Sequence, residues 1–448
     1  MATAALERVF AEKADAEAII WRDTSHSYRW LAEALARAGD ALAASGVASG
    51  AVVMLDADFS PRAVALLLAL VRRGCIVVPF TSAAAGQRDD FLAIGEVEHV
   101  VRLSPDDEAT FAATGRAATH PHYAELRRRG HPGIVLFSSG SSGAPKASVN
   151  DLVPWLAKFA VRRHVLRTLS FLRFDHVGGL NTILYVLSNG GCVVTVEDRG
   201  ADAVLAAIAR HRVELLPTSP TFLNLILLSE AHRRHDLSSL QLVTYGTEPM
   251  PETTLRRFHA LFPEVRLLQT YGLSEVGILR SKSRASDSLW VKVGGEGYET
   301  RVEGGVLQIR SSSAMLGYLN APSPLTADGW FDTGDRVEVD GEYVRFLGRV
   351  SERINVGGEK VFPAEVENVI LELDEIAEAT VRGAKHAITG EVVAAAVLPR
   401  PGVELDDKAL SLLVKKHCAA RLERFKVPVK VEIAKEPLHT ARFKKRRG

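Results

Sequence analysis

Between Val52 and Val78 a short aliphatic run, Val52 to Leu55, gives way to an apolar stretch from Pro61 to Arg73 and then to a second aliphatic run, Ile76 to Val78. The outer runs suit buried strands and the middle one suits a helix. Pro61 fits a first helical turn, where its missing amide hydrogen costs little. This alternation favours a layered α/β core. Its rough repeat length fits parallel crossover units, with strand order left open. Upstream, Leu31, Leu35 and Leu42 mark one face of another helix, with Gly46 as its stop.

The same pattern continues downstream. Leu152 to Leu169 reads as a helix, Thr182 to Leu187 as an apolar surface, Cys192 to Val196 as a strand, Asp202 to His211 as a helix and Val213 to Leu216 as a strand. The segment from Pro105 to Gly130 is irregular in composition and reads as a joining stretch. From Gly294 the chain turns β-rich, with strands over Val306 to Ile309 and Tyr343 to Phe346. Beyond a boundary near Arg349 to Glu352 come a helix over Pro363 to Leu371, a strand over Val392 to Leu398 and a helix within Leu405 to Leu422.

At 448 residues the chain exceeds the size at which one core keeps growing, so two or three domains are expected. Its 55 basic against 54 acidic residues give a formal charge of +1. No global field therefore argues for a nucleic-acid partner. Cys75, Cys192 and Cys418 lie far apart without metal-ligand spacing and read as buried thiols of a reducing cytoplasm. The N-terminus lacks the apolar core of a secretion signal. The longest apolar run, Ala63 to Val71, is about half a bilayer span, so no membrane anchor is readable.

The stretch Leu136 to Ala147, LFSSGSSGAPKA, runs from an apolar stub into small and hydroxyl residues and then a lysine. Glycines permit close backbone approach, and amides, hydroxyls and a cation converge naturally on phosphate oxygens. It is not a Walker loop, because GxxxxGK followed by Ser or Thr is missing. Further stretches follow: Tyr271-Gly272-Leu273-Ser274-Glu275, Thr333-Gly334-Asp335, Gly348-Arg349, Asn355-Val356-Gly357-Gly358-Glu359-Lys360, and a lysine near the end of the chain. In this order they resemble the motifs of the adenylate-forming enzymes, which include acyl- and aryl-CoA ligases, peptide-synthetase adenylation domains and luciferases. The resemblance spans roughly Gly46 to Arg447.

The resemblance implies an α/β fold. A large N-terminal domain (1–348) has layered α/β subdomains and a β-rich subdomain. A hinge follows at 349–352, then a small mobile α+β domain (353–448). It also implies ATP and Mg²⁺ as cofactors. Ser138, Ser139, Ser141 and Ser142, with Gly140 and Gly143 keeping the loop open, would surround the ATP phosphates, and Lys146 would position the loop and the leaving pyrophosphate. Tyr271, followed by Gly272, would stack on adenine. Ser274 replaces a more frequent threonine, and Glu275 would support Mg²⁺. Asp335 would accept from the ribose hydroxyls and Arg349 would be a second nucleotide contact, with an interdomain salt bridge as its other role. Gly246 and Thr247 would offer backbone contacts along the adenine and acyl site.

On the acyl side, His176 matches a histidine beside the substrate carboxylate, with a structural hydrogen bond as the alternative. Asp175 admits three readings: a contact to a substrate substituent, a helix cap, or a solvent-facing acid. Gly178, Gly179 and Gly277 would leave room near the backbone for a planar acid, beside Tyr245. Thr440-Ala441-Arg442-Phe443-Lys444 fits a Thr-x-x-Gly-Lys pattern with Phe443 in the glycine's place. That assigns Lys444 to bridge carboxylate and α-phosphate, with Lys445 as competitor if the register shifts. Ser351 departs from the usual hinge residue. Gly357 and Gly358 resemble the backbone lining the acceptor channel, and Lys360 would face phosphate or pantetheine.

The implied reaction is activation of a small carboxylic acid, aryl somewhat favoured, to acyl-AMP, followed by transfer to the thiol of CoA. The alternatives are transfer to a separate carrier protein's thiol or to an amine, and a nucleotide-binding interaction protein that has lost turnover.

Overall fold

The computed structural model describes residues 3–138, 145–440 and 443–446. Two seven-stranded sheets dominate the large domain. One runs, edge to edge, through Gly317–Tyr318, Lys146–Asp151, Gly133–Ser138, Ile76–Phe80, Val52–Asp56, His99–Leu103 and Ala109–Ala113. Its interior strands are parallel and its flanking pairs antiparallel. All five residues of Ile76–Phe80 are buried, as a central strand covered on both faces requires. The second sheet runs through Arg266–Gln269, Leu242–Tyr245, Leu215–Thr218, Arg167–Ser170, Cys192–Thr195, Glu17–Trp21 and Thr24–Ser27. It is parallel except for its last pair.

One core takes residues from both sheets and from the helices Ala4–Glu12, Tyr28–Ala44, Pro61–Arg72 and Val177–Asn189. The helix Pro61–Arg72 buries ten of its twelve residues, which an all-round apolar sequence demands. Its start is fixed by Ser60, whose Oγ accepts from the Ala63 N–H at 3.0 Å and donates to Asp107.

A six-stranded antiparallel sheet follows, ordered Arg280–Ser283, Val291–Gly294, Tyr343–Arg349, Phe331–Asp340, Val306–Ser311 and Tyr298–Glu303. A turn of 3₁₀ helix, Val350–Glu352, leads to the smaller C-terminal domain. There Glu359–Val361, Ile354–Val356, Gly390–Pro399 and Ile376–His386 form an antiparallel sheet, and Lys430–Ile433 joins Gly390–Pro399 in parallel. The helices Pro363–Ile370 and Asp407–Ala419 cover its apolar face. The large α/β domain with an α+β domain after it is the fold the motifs imply.

Two readings are corrected. The stretch from Pro105 to Gly130 carries an edge strand, Ala109–Ala113, and a helix, Pro121–Arg129, stopped by left-handed Gly130. The expected helix over Leu152 to Leu169 ends at Ala157 and gives way to a 3₁₀ turn, Lys158–Ala160, before the strand Arg167–Ser170. Basic and polar residues from Arg162 to Arg167 break its apolar face. Among the described residues no helix is long and apolar enough to cross a membrane.

Leu70 is fully buried where the two sheets share their core. Leu70→Ala is expected to cost about 3 kcal/mol, through lost transfer energy and a cavity that close packing prevents from collapsing. Urea denaturation of the pure protein measures it.

Candidate active site

The antiparallel sheet sets one half of the site. Its register places Asp335 opposite Arg349, and the guanidinium Nε stands 3.3 Å from Asp335 Oδ1. From the segment before this sheet, Tyr271 Oη donates to Asp335 Oδ2 at 2.6 Å. One face of the Tyr271 ring stacks on Phe346, with centroids 4.5 Å apart and planes 17° from parallel. Burial pushes the Asp335 carboxyl above the usual carboxylate range, although Arg349 and the Tyr271 hydroxyl pull it down. Burial and the Asp335 charge raise the Tyr271 phenol, so it remains a donor. Burial alone would lower the Arg349 guanidinium, but Asp335, Tyr271, Glu275 and Glu352 together raise it.

The other half of the candidate site is built on the first sheet. Ser138 closes one strand and Lys146 opens the next, paired in register. The turn between them, with Ser139, Gly140, Ser141, Ser142 and Gly143, lies outside the described residues. Asn320 clamps its exit: Nδ2 donates to Pro145 O at 2.8 Å and Oδ1 accepts from Ala147 N at 3.1 Å. Lys146 Nζ lies 5.8 Å from the centroid of the Tyr318 ring, and Tyr318 Oη donates to Glu275 Oε1 at 2.7 Å. Ser148 Oγ donates to Leu136 O at 3.1 Å and lies 3.4 Å from Ser274 O. The lysine strand and the segment Tyr271 to Glu275 are thereby joined.

Glu275 is buried. No cluster of three or more metal-ligating side chains occurs among the described residues. A single hard carboxylate fits magnesium, which keeps waters and takes most of its ligands from phosphate.

The glycines around this cluster are set by close backbone approach. A Cβ on Gly272 would stand 2.7 Å from Gly277 O and 2.4 Å from Ile278 Cδ1, and one on Gly246 would stand 2.7 Å from Thr270 O. Thr247 holds φ at +76°, a conformation unusual for a β-branched residue and common at working sites.

The acyl side differs from the expected picture. His176 is the N-cap of the helix Val177–Asn189: its Nδ1 accepts from the Gly178 N–H at 3.0 Å. The capping reading thus falls to His176, leaving Nε2 as the proton-bearing nitrogen. Asp175 is buried and accepts from Thr81 Oγ1 at 3.0 Å, so it neither faces solvent nor supplies the cap. Gly178 and Gly179 do not open space for a substrate. Added Cβ atoms would meet Leu172 at 2.7 Å and Arg173 O at 2.0 Å, because the helix start is pressed onto that segment. Gly277, at φ +80°, likewise faces Trp155 Nε1 at 2.7 Å. Tyr245 is buried, with an Oη that has no hydrogen-bond partner among the described residues.

The C-terminal tail docks on this same side. Phe443 takes φ +52°. Its ring centroid lies 5.1 Å from Phe171, 5.2 Å from Phe222 and 5.8 Å from His439. Ser219 Oγ donates to Phe443 O at 2.9 Å. Glu248 Oε2 accepts from Lys445 N at 3.2 Å, while its Oε1 accepts from Thr221 N at 2.8 Å. Lys445 Nζ pairs at 2.7 Å with Glu367, which is 1% exposed. That ammonium is bound to the small domain. The Gly357-Gly358 hairpin, with φ +60° and +101°, is exposed together with Lys360 and is not gathered with the nucleotide cluster.

Sequence reasoning missed Tyr318, Asn320, Phe346 and the part played by Glu248.

Known proteins resemble this chain over most of its length. The model of the AMP-binding enzymes matches residues 6–93 and 82–319, and that of the AMP-binding enzyme C-terminal domain matches 365–444. The chain is 31% identical to an indoleacetate–CoA ligase of Aromatoleum aromaticum, over 96% of this chain and 93% of that protein. It is 26% identical to a feruloyl-CoA synthase of an Amycolatopsis species, over 91% and 90%. Among solved structures, an anthranilate CoA ligase with anthranoyl-AMP superposes with a TM-score of 0.84 at 22% identity, over 99% of this chain and 95% of that one. The amide bond synthetase McbA of Marinactinospora thermotolerans gives 0.77 at 25%, over 99% and 97%. The chain belongs to the AMP-binding, adenylate-forming enzyme family. It is an adenylate-forming ligase, of a class that uses ATP and Mg²⁺.

Two outcomes follow from this geometry. A carboxylate accepts from donors but a carboxylic acid offers a proton, so AMP affinity should fall as pH drops through the raised Asp335 value, above the ordinary carboxylate range. The same raised value favours the fold in acid and loses that contribution as pH rises, so the two effects have opposite signs. Asp335→Asn should cost about 10-fold in AMP affinity at neutral pH and flatten the profile in calorimetric titrations. A left-handed non-glycine residue costs roughly 1–2 kcal/mol, whereas three ring contacts contribute about 0.5–1.5 kcal/mol each. Phe443→Gly is therefore expected to loosen the docked tail, read as faster amide exchange over 438–446.

Proposed function

We propose that this protein joins an organic carboxylic acid, with aryl acids favoured, to the α-phosphorus of ATP and passes the resulting acyl group to the thiol of CoA. The single observation that carries the reading is the convergence of three groups at one site. These are the Tyr271–Asp335–Arg349 network, the Lys146–Tyr318–Glu275 group and a tail docked beside Glu248 and Ser219. The aryl preference is drawn from the similarity to ligases of indoleacetate and feruloyl groups.

A substrate carboxylate oxygen attacks the α-phosphorus, a P–O bond forms and the bond to pyrophosphate breaks. Asp335 accepts from the ribose hydroxyls, and the open face of Tyr271 takes adenine. Gly246 and Thr247 present backbone along the base, with Arg349 held charged nearby. Lys146 and the serine turn from Ser138 hold the leaving pyrophosphate. Glu275 would hold magnesium, which would supply charge neutralisation for the leaving group.

Lys444 lies between carboxylate and α-phosphate, where its charge matters most in the transition state. His176, with Nδ1 engaged by the helix start, turns Nε2–H towards the acyl carboxylate. Tyr245 forms a wall of the acyl pocket. The small domain then rotates about residues 349–352, withdrawing Lys444 and bringing Gly357, Gly358 and Lys360 towards the acceptor. The buried free thiols Cys75, Cys192 and Cys418 fit a reducing cytoplasm.

Acid-dependent exchange of pyrophosphate into ATP tests the first step, and AMP release matched to acyl-CoA formation tests the second. Product only with a carrier protein or an amine would move the assignment to those acceptors. Lys444→Ala is expected to slow exchange about 100-fold, on the order of 3 kcal/mol, while sparing thiol transfer from supplied acyl-AMP. Equal losses in both reactions overturn the role given to Lys444.

A further inference from the structure

The helix that follows the phosphate strand is short, Leu152–Ala157, with Asp151 Oδ1 accepting from the Val153 N–H at 2.9 Å. The chain then tightens into the 3₁₀ turn Lys158–Ala160. This turn brings Lys158 Nζ to 3.0 Å from Ile278 O. The ammonium lies 5.2 Å from the Trp155 ring centroid and 5.1 Å from that of Phe159. Among the described residues the Ile278 carbonyl is its sole hydrogen-bond partner, and no carboxylate pairs with it.

Beside it, Trp155 is 1% exposed and its Nε1 has no partner among the described residues. That nitrogen lies where a Cβ on Gly277 would stand 2.7 Å away. Two donors therefore converge on the edge Gly277–Ile278.

This edge belongs to the candidate site. Gly277–Ile278 pairs with Gly272–Leu273, directly after Tyr271. The helix capped by His176 packs against both the edge and the Lys158 turn. Lys158 is thus placed where the acyl-side elements meet. Burial lowers its ammonium to about 7, with a further decrease from Arg163. The residue as a whole is partly exposed. Cation–π contact with Trp155 and Phe159 offsets only part of the hydration its ammonium has lost.

The ammonium and the indole N–H are donors without acceptor capacity. Their complement is an oxygen that accepts. We infer that Lys158 and Trp155 form the distal end of the acyl subsite and select carboxylic acids bearing an acceptor oxygen, as hydroxyl, keto or carboxyl, remote from the carboxylate to be activated. The inference rests on the acid-activation reading above and adds the substrate class to it. A lysine retained only for packing of its stem would give none of this selectivity.

The test uses the full chain, Lys158→Met and Lys158→Arg. Its ligands are matched acids, 3-phenylpropanoate against its 4-hydroxy and 4-carboxy forms. Direct binding is measured by calorimetry and activation by pyrophosphate exchange. Lys158→Met should weaken binding of the oxygen-bearing acids by about 10- to 100-fold, the range for a hydrogen bond to a charged group. The unsubstituted acid should be nearly unaffected, and Lys158→Arg should recover part of the preference.

Equal effects on all three acids, or none, overturn the subsite. Failure of any acid to bind overturns it as well. Lys158-dependent binding without exchange would leave the subsite standing and remove the activation reading instead. Exchange that proceeds with no Lys158-dependent preference removes the subsite alone.

Discussion

The site depends on a buried carboxylate held between two layers of the large domain. Asp335 comes from the antiparallel sheet, Tyr271 from the edge of a parallel one, and their 2.6 Å hydrogen bond fixes the distance between those layers. Burial makes the carboxylate costly, and Arg349 and the Tyr271 hydroxyl offset that cost in part. Removing one partner of such a group leaves a desolvated charge, which is worse than never having built it. The network is therefore rigid for an energetic reason. Its rigidity fixes the position of Glu275 four residues beyond Tyr271, and through Tyr318 that of Lys146.

Much of this was legible because the motifs carry their own chemistry in local sequence. Tyr271, Glu275, Asp335 and Arg349 each sat in a short pattern, and the register of two adjacent strands then brought Asp335 and Arg349 together. The central strands and the helix Pro61–Arg72 were legible too, since burial on all sides leaves an unbroken apolar run. What escaped has a common origin. Tyr318, Asn320 and Phe346 act across layers, and nothing in their immediate neighbours marks them. The glycines misled for the opposite reason. At Gly178, Gly179 and Gly277 the absent side chain makes room for the protein's own backbone and indole, and a sequence does not distinguish that from room for a ligand. The short helix after Leu152 was read too long because its apolar periodicity ends before its polar residues make the break plain.

Phe443 illustrates a trade between local and tertiary terms. Glycine suits the left-handed backbone at that position, and phenylalanine adopts it against its own preference. Contacts with Phe171, Phe222 and His439 reward the arrangement only when the tail is docked. Away from the large domain the residue keeps the strain and loses most of the contact. The substitution thus weights the two positions of the tail unequally, in favour of the docked one.

The tail is also moored to its own domain. Lys445 is paired with buried Glu367, and Glu378 accepts both from the Leu438 N–H and from His439. These anchors lie on the small domain, whereas Ser219 and Glu248 grip the tail from the large one. Breaking the second set leaves the first intact, so the segment that carries Lys444 is held to its own domain as a stiff arm and not as a loose tether. Such an arm has already lost its chain entropy. In the domain rotation proposed above, the lysine would move with the small domain as one rigid body, without a search through conformations.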